Sequence, residues 1–372
     1  FSDVVRETEP FATAQEAMRS LLFLEDQVAS VGPRIEQGVV HAAPPAAART
    51  DFAFLEIAEP ASDQTTRGVL EALGFTPAGR HRSKPVTWWR NGDAHVVVNS
   101  GRHPDATAVP RATALGLMAP PVAAVADRAA ALLWPEVNTS RGADEAMLPG
   151  ITSPSGLHVF ISDTPGHQDH WQRDFEPVVQ HRTDDVWAGL DHVALSVSPY
   201  ELNEEMAFFR TLFGLAPGPP EEFMEPRGRL LSRALRPTVG DLRVVLNVTE
   251  APAQVAQPSG VTQAAFRCHD VAAVVTDLRS RGVPMMPVPE NYYVDLDARF
   301  GLDPDLLDHL RGHQLMYDRV GGGELLHAYT RPLATHFYVE VLERRGGYDG
   351  YGSANTFVRL AAQAGDEAPA SD

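Results

Sequence analysis

The chain has 372 residues, a formal charge of -18 and a pI near 5.2. That length supports more than one ordinary core, and that acidity disfavours nucleic acid and anionic membrane surfaces as partners. No apolar run approaches the ~20 residues that cross a bilayer, and the single cysteine, Cys268, excludes an intrachain disulfide and fits a reducing cytoplasm.

In chain order, the first predicted element is an amphipathic helix, Thr13 to Glu25, with Ala14, Ala17, Met18, Leu21 and Leu22 on one face. Thr13 and Glu16 have the spacing of a capping box. Residues 31–50 include an Ala- and Pro-rich stretch, Gly38 to Arg49, that reads as a linker. A strand at Phe52 to Ile57 follows, then a helix near Gln64 to Leu73 and a turn at Gly74. Strands at Val86 to Arg90 and His95 to Asn99 are joined by Asn91-Gly92, a strong hairpin signal. A strand at Thr113 to Met118, a helix at Val122 to Leu133 and a strand at Leu157 to Ser162 complete this part.

After a linker near Asp163 to Asp185 the same order returns. Strand Leu190 to Val197 precedes a helix at Asn203 to Leu212. Strands Leu230 to Leu235 and Leu242 to Val248 flank Gly240-Asp241, and strand Val261 to Arg267 leads into helix Val271 to Arg281. An insert, Pro284 to Asp318, with a helix at Asp303 to Leu310, separates these from a last strand around Phe337 to Val341 and a helix at Thr356 to Ala364. The repeat aligns Asp51-Phe52 with Asp191-His192, Val96 to Asn99 with Val244 to Asn247, and Leu157 to Ile161 with Phe337 to Val341. The expected fold class is α+β, with two similar strand–helix–strand–strand–strand units at 51–165 and 186–362 and a disordered tail at 363–372.

The polar chemistry sits in the second unit. Where it has His192, Gln263 and Glu340, the first has Phe52, Ala114 and Phe160. Period-two alternation places His192 with Ala194 and Ser196, and Glu340 with Tyr338 and His336. An imidazole and a carboxylate on two half-buried strands could form part of a facial metal triad. The other reading is a hydrogen-bonded core histidine, with Glu340 paired to a nearby arginine. Ser232 and Asn247 lie on adjacent strands and could point polar ends at a ligand, or be ordinary strand side chains. No Gly-rich phosphate loop, zinc-type Cys/His cluster or Gly-x-Ser-x-Gly elbow is present.

Leu190-Asp191-His192-Val193, Ser232-Arg233-Ala234-Leu235, Leu246-Asn247 and Glu324 to Pro332 resemble 4-hydroxyphenylpyruvate dioxygenase, of the vicinal-oxygen-chelate fold. Asn291-Tyr292-Tyr293, Ala298 to Leu302, Met316 to Arg319 and Arg345 to Gly352 resemble more closely the C-terminal half of a bacterial fusion, a 3-dehydroshikimate dehydratase that makes protocatechuate. In that fusion a sugar-isomerase-like barrel comes first, and residues 1–30 look like its end. The resemblance implies two tandem βαβββ modules, with the metal in the second. It places a divalent ion, Fe(II) by family, on His192, Gln263 and Glu340. Gln263 stands where the family has histidine, and an amide oxygen makes Mg²⁺ or Mn²⁺ more competitive. The resemblance further implies that His327 bonds a ligand or substitutes as a metal donor, and that Tyr329 stacks on an aromatic ring. Asn355 would open a helix lying over the pocket, unless it is a plain N-cap. The expected partners are an aromatic or 2-oxo acid substrate, a barrel domain missing from this chain, and further copies in a homo-oligomer. Two alternatives stay open: a stand-alone Fe(II)-dependent oxygenase, and a metal-stabilised accessory module without chemistry of its own.

Overall fold

The computed structural model describes residues 43–367, except 61–64, 102–108, 139–141, 143, 147, 164–172, 179–184, 226–227, 251–259 and 334–336. The predicted helix Thr13 to Glu25 and the side chain of His336 therefore lie outside the described residues.

The chain first forms β1 (Asp51–Ala58), α1 (Thr65–Ala72), β2 (Thr76–His81), β3 (Val86–Asn91), β4 (Ala94–Asn99), β5 (Arg111–Met118), α2 (Val122–Ala131), β6 (Gly150–Thr152) and β7 (His158–Ser162). A short β8 (Phe175–Pro177) pairs with β2, so the segment expected to be a linker contributes a strand. Then follow β9 (Trp187–Ser196), α3 (Leu202–Phe213), β10 (Leu215–Glu225), β11 (Gly228–Pro237), β12 (Val244–Glu250), β13 (Gly260–Cys268) and α4 (Val271–Ser280). The insert holds two helices, α5 (Glu290–Phe300) and α6 (Pro304–His313), rather than one. After it come β14 (Met316–Val320), β15 (Gly323–Tyr329), β16 (Tyr338–Arg345) and α7 (Thr356–Glu367), which carries helix into the expected tail.

These elements form where local chemistry favours them. Asp270 caps α4 by accepting the Ala273 amide at 2.9 Å. Asp303 caps α6, whose first residue is Pro304, where the missing N–H has no intrahelical partner to lose. Gly214 ends α3 in the left-handed region at φ 66°. Phe208, Phe209 and Phe213 of α3 are almost fully buried, and Trp134 packs edge-on to Phe208. Each such ring contributes roughly 1.5–3 kcal/mol of transfer free energy.

All strands join one mixed sheet, and the architecture is sheet-rich α+β. Within it, β1 runs parallel to β4 and antiparallel to β5, as β9 does with β12 and β13. Outside these, β7 lies parallel to β5 and β16 parallel to β13. The two sets meet where Val261 of β13 pairs with Ala112 of β5. Register corrects one expected equivalence. Val96 pairs with Leu55, and Val244 with Val193, so Phe54 rather than Phe52 takes the place of His192. The slip arises at the bulge between Phe52 and Phe54. Phe54, Gly116 and Phe160 thus stand where His192, Ala265 and Glu340 stand in the other set.

Strand β10 was not expected because Leu215–Glu225 holds Pro217, Pro219 and Pro220. It forms because it lies at the sheet edge, where one row of N–H groups has no ladder to join.

Candidate metal centre

Three neighbouring strands build the site around a small residue. On β13, Ala265 is opposite His192 of β9 on one side and Glu340 of β16 on the other. Gln263, two residues back, is opposite Ala194 and Tyr338. Laterally paired residues project from the same face, so the imidazole and carboxylate close over the Ala265 methyl. His192 Nε2 lies 3.2 Å from Glu340 Oε2. The Gln263 amide nitrogen lies 3.2 Å from His192 Nε2 and donates to Glu340 Oε2. Its amide oxygen accepts the Tyr338 hydroxyl at 3.0 Å. His192, Gln263 and Glu340 are 3%, 6% and 0% exposed, so each polar atom must find its partner inside the protein.

The carboxylate of Asp191 orients His192. It accepts His192 Nδ1–H at 2.9 Å and is itself gripped by Arg344, through Nε at 2.8 Å and a terminal nitrogen at 2.6 Å. With Nδ1 carrying that proton, Nε2 is the ring atom that faces Glu340 and the Gln263 amide. The second Glu340 oxygen accepts His327 Nδ1–H at 2.7 Å. His327 Nε2 in turn accepts the Asn355 amide at 2.9 Å, and the Asn355 oxygen accepts the Tyr292 hydroxyl at 3.1 Å. Tyr292 belongs to α5, so the insert holds the far end of this chain of bonds. Gly352 lets the following loop come close: a Cβ there would sit 2.9 Å from the His327 ring.

Charges follow from these contacts. Burial alone would raise the Glu340 carboxyl, but His192 and His327 outweigh it and hold the group below the usual range. Burial alone would lower His192, but Glu340 and Asp191 outweigh it and raise the imidazole. Burial and the neighbouring Glu340 carry the Tyr329 hydroxyl well above the usual phenol value. The space between His192 Nε2 and Glu340 is therefore electrostatically a place for a cation.

The donor set fits a divalent ion of that kind. Among the described residues no group of three or more His, Cys, Asp and Glu is placed to hold a metal, and the third member here is an amide. Turning the Gln263 amide end for end puts its oxygen beside His192 Nε2 and Glu340. Its NH₂ then faces the Tyr338 hydroxyl, which accepts as readily as it donates.

The structure thus brings together His192, Gln263, Glu340, His327, Tyr329 and Asn355. Glu340 pairs with His192 and His327, while Arg344 takes Asp191. Asn355 is not a plain N-cap, because its amide bonds His327 and the Tyr317 carbonyl. Tyr329 is 5% exposed and packs edge-on to His327, 5.3 Å between ring centres. Ser232 and Asn247 face each other across β11 and β12, and Asn247 is opposite Ser196 of β9. They share the site's face but stand farther out along it. Sequence reasoning missed the roles of Asp191, Arg344, Tyr338 and Tyr292. An acidic residue beside the candidate histidine was the signal available for Asp191.

Residues 45–176 match the family model described as hydroxyphenylpyruvate dioxygenase, HPPD, N-terminal. A 3-dehydroshikimate dehydratase of Pseudomonas putida is 35% identical over 98% of this chain and 60% of its own length. The 4-hydroxyphenylpyruvate dioxygenase of Pseudomonas aeruginosa is 25% identical over 82% of this chain and 90% of its own. A solved xylose isomerase-like TIM barrel/4-hydroxyphenylpyruvate dioxygenase fusion protein superposes with a TM-score of 0.83 at 33% identity, covering 97% of this chain and 61% of that one. The chain spans about three fifths of the length of the dehydratase relative, 60%. Residues 45–176 are thus similar to the N-terminal part of hydroxyphenylpyruvate dioxygenase, and nearly the whole length of the chain is similar to part of a bacterial 3-dehydroshikimate dehydratase.

Proposed function

We propose that this chain is the dioxygenase-like part of a 3-dehydroshikimate dehydratase, an enzyme that removes water from 3-dehydroshikimate to give protocatechuate. The observation that carries this reading is the similarity to such a dehydratase along 98% of the chain. Dehydration would belong to a barrel like that of the solved fusion, and this chain would supply a metal-dependent binding site. We also infer that residues 51–165 and 186–362 are two tandem copies of one module, from their repeated strand order and pairing. His192 Nε2, the Gln263 amide oxygen and Glu340 would hold the ion, Mg²⁺ or Mn²⁺ ahead of Fe²⁺ because two of the three donors are hard oxygens. The ion would polarise and orient the oxygen atoms of a bound ligand. Asp191, Arg344 and His327 keep two of the donors in place, and the buried surroundings exclude water.

A second reading, an Fe(II)-dependent oxygenase acting on an aromatic 2-oxo acid, is supported by the match to 90% of a 4-hydroxyphenylpyruvate dioxygenase. Metal analysis and oxygen uptake separate the readings. The native protein should bind one divalent ion, and Glu340→Ala should bind none; unchanged metal content in that variant would overturn the site. After anaerobic Fe(II) loading with 4-hydroxyphenylpyruvate, the native protein should take up no oxygen. Uptake matched by CO₂ release would establish the oxygenase. Uptake by Gln263→His alone would trace the difference to the amide ligand.

A further inference from the structure

Strand β14 lies at an edge of the sheet, paired only with β15. The Tyr317 N–H on this strand donates to the Tyr292 hydroxyl at 2.7 Å, and the Tyr317 carbonyl accepts the Asn355 amide at 3.1 Å. A backbone N–H can only donate, so the Tyr292 oxygen accepts it and passes its own proton on. The Asn355 oxygen and the Tyr317 carbonyl, each at 3.1 Å, are there to take that proton. The Asn355 nitrogen then faces His327 Nε2 at 2.9 Å and fills the gap with one of its hydrogens. Nε2 accepts, so the His327 proton sits on Nδ1 and is donated to Glu340 Oε1 at 2.7 Å. One peptide group, acting through two side chains, thereby sets which His327 nitrogen is the donor.

Tyr292, Tyr317, Asn355, His327 and Glu340 are all buried, so a bond lost anywhere along this chain leaves a polar group unpaired. His327 engages Oε1 of Glu340, which leaves Oε2 turned to His192 and the Gln263 amide. The chain of bonds begins outside the repeated strands, because Tyr292 belongs to the insert helix α5. The first set of strands has Phe54, Gly116 and Phe160 where the second has His192, Ala265 and Glu340. It also has no helix, among the described residues, between α2 and β6. The set with the insert is the set with the polar centre. Packing alone does not call for the Tyr292 hydroxyl, since phenylalanine would fill the same space with no polar group to satisfy.

We propose that Tyr292 of the insert is a positioning residue for the metal centre, acting through Asn355 and His327 to hold Glu340 with Oε2 aimed at His192 and Gln263. The inference rests on the proposed metal site, and its test keeps the two apart.

Mn(II) affinity, urea unfolding and the ring N–H signals of isotope-labelled histidine are compared in the native protein, Tyr292→Phe and Tyr293→Phe. Tyr293 is the control: it lies on the same helix, is equally buried, and its hydroxyl donates to the Leu315 carbonyl at 3.3 Å instead of to Asn355. Both variants should unfold cooperatively. Tyr292→Phe should weaken Mn(II) binding roughly 10-fold, the low end for loss of an outer partner of a metal ligand. It should also shift or broaden the His327 Nδ1–H signal, while Tyr293→Phe leaves affinity and signal as in the native protein. Adding Tyr292→Phe to His327→Gln should weaken Mn(II) binding no further, because the tyrosine acts through that ring. Unchanged affinity in Tyr292→Phe, equal losses in the two tyrosine variants, or additive losses with His327→Gln would overturn the positioning role and leave the metal site standing. A native protein that binds no Mn(II) would overturn the metal site. The His327 signal in metal-free protein would then decide the positioning of the ring: unmoved by Tyr292→Phe it overturns the role, and shifted it upholds it.

Discussion

Asp191→Asn is the substitution that tests most directly how the centre is held. The Asp191 side chain is 0% exposed and that of Arg344 is 9% exposed, so water cannot replace what the carboxylate provides. It accepts three hydrogen bonds, two from Arg344 and one from His192, and every one involves a charged group. Asparagine keeps one acceptor and turns an NH₂ towards a donor, leaving a buried guanidinium without its counter-charge. Removing one partner of such a pair costs about 3–5 kcal/mol. The variant should therefore lose about that much in urea unfolding, with its m-value unchanged. The same change frees the His192 ring and should weaken divalent binding by roughly 10- to 100-fold, as loss of an outer partner of a ligating histidine does. Pairing Asp191→Asn with Arg344→Met should recover much of the stability, because no unpaired charge remains, but none of the metal affinity. A loss below about 1 kcal/mol in the single variant would show Arg344 escaping to solvent, contrary to the pinning argued here. Recovery of metal affinity in the double variant would show that Asp191 does not orient His192.

Two further outcomes follow from features outside the centre. Burial raises the Glu205 carboxyl to about 7, against hydrogen bonds from Ser153 and Ser155 that lower it. The folded state thus holds a proton that the unfolded chain releases near its ordinary value. Stability is fullest below pH ~4.5 and falls as pH rises through about 7, by roughly 3 kcal/mol in all. Glu205→Gln should flatten that slope in unfolding measurements from pH 5 to 8, and an unchanged slope would locate the titration elsewhere. In the first set of strands, a Cβ on Gly116 would lie 2.2 Å from the Phe54 ring, which stacks on Phe160 at 6.4 Å. Gly116→Ala should cost roughly 1–3 kcal/mol by overpacking and leave metal binding intact; a change in metal binding would mean that the two sets of strands are coupled.

Much of this site was legible because strands write their faces into the sequence every second residue. His192, Ala194 and Ser196 do share a face, and Gln263 and Glu340 do meet His192 across β13. The supporting contacts were hidden by the places where the period breaks. Strict alternation sends Asp191 to the face opposite His192. In the structure, β13 pairs Ala265 with His192 and then Phe266 with Leu190, skipping Asp191, and this bulge lets its carboxylate reach the neighbouring ring. A bulge likewise displaced the aligned aromatic from Phe54 to Phe52. Helix α5 escaped notice for another reason. Its sequence, with Asn291, Tyr292, Tyr293 and three acidic residues, has weak helical periodicity, and tertiary contacts of Tyr292 and Tyr293 hold it in place.

The prolines of β10 also bear on how copies of this protein meet. An exposed strand at the margin of a sheet is a template for another chain, and its amides are the means of attachment. Here three positions of the outermost strand carry no amide hydrogen, and the bulge between Pro217 and Pro220 twists the margin out of line. At the opposite margin, β8 has only three residues and ends in Pro177. These two margins therefore resist strand addition, which leaves the branch ends at β6 and β14 as the sheet's other edges among the described residues.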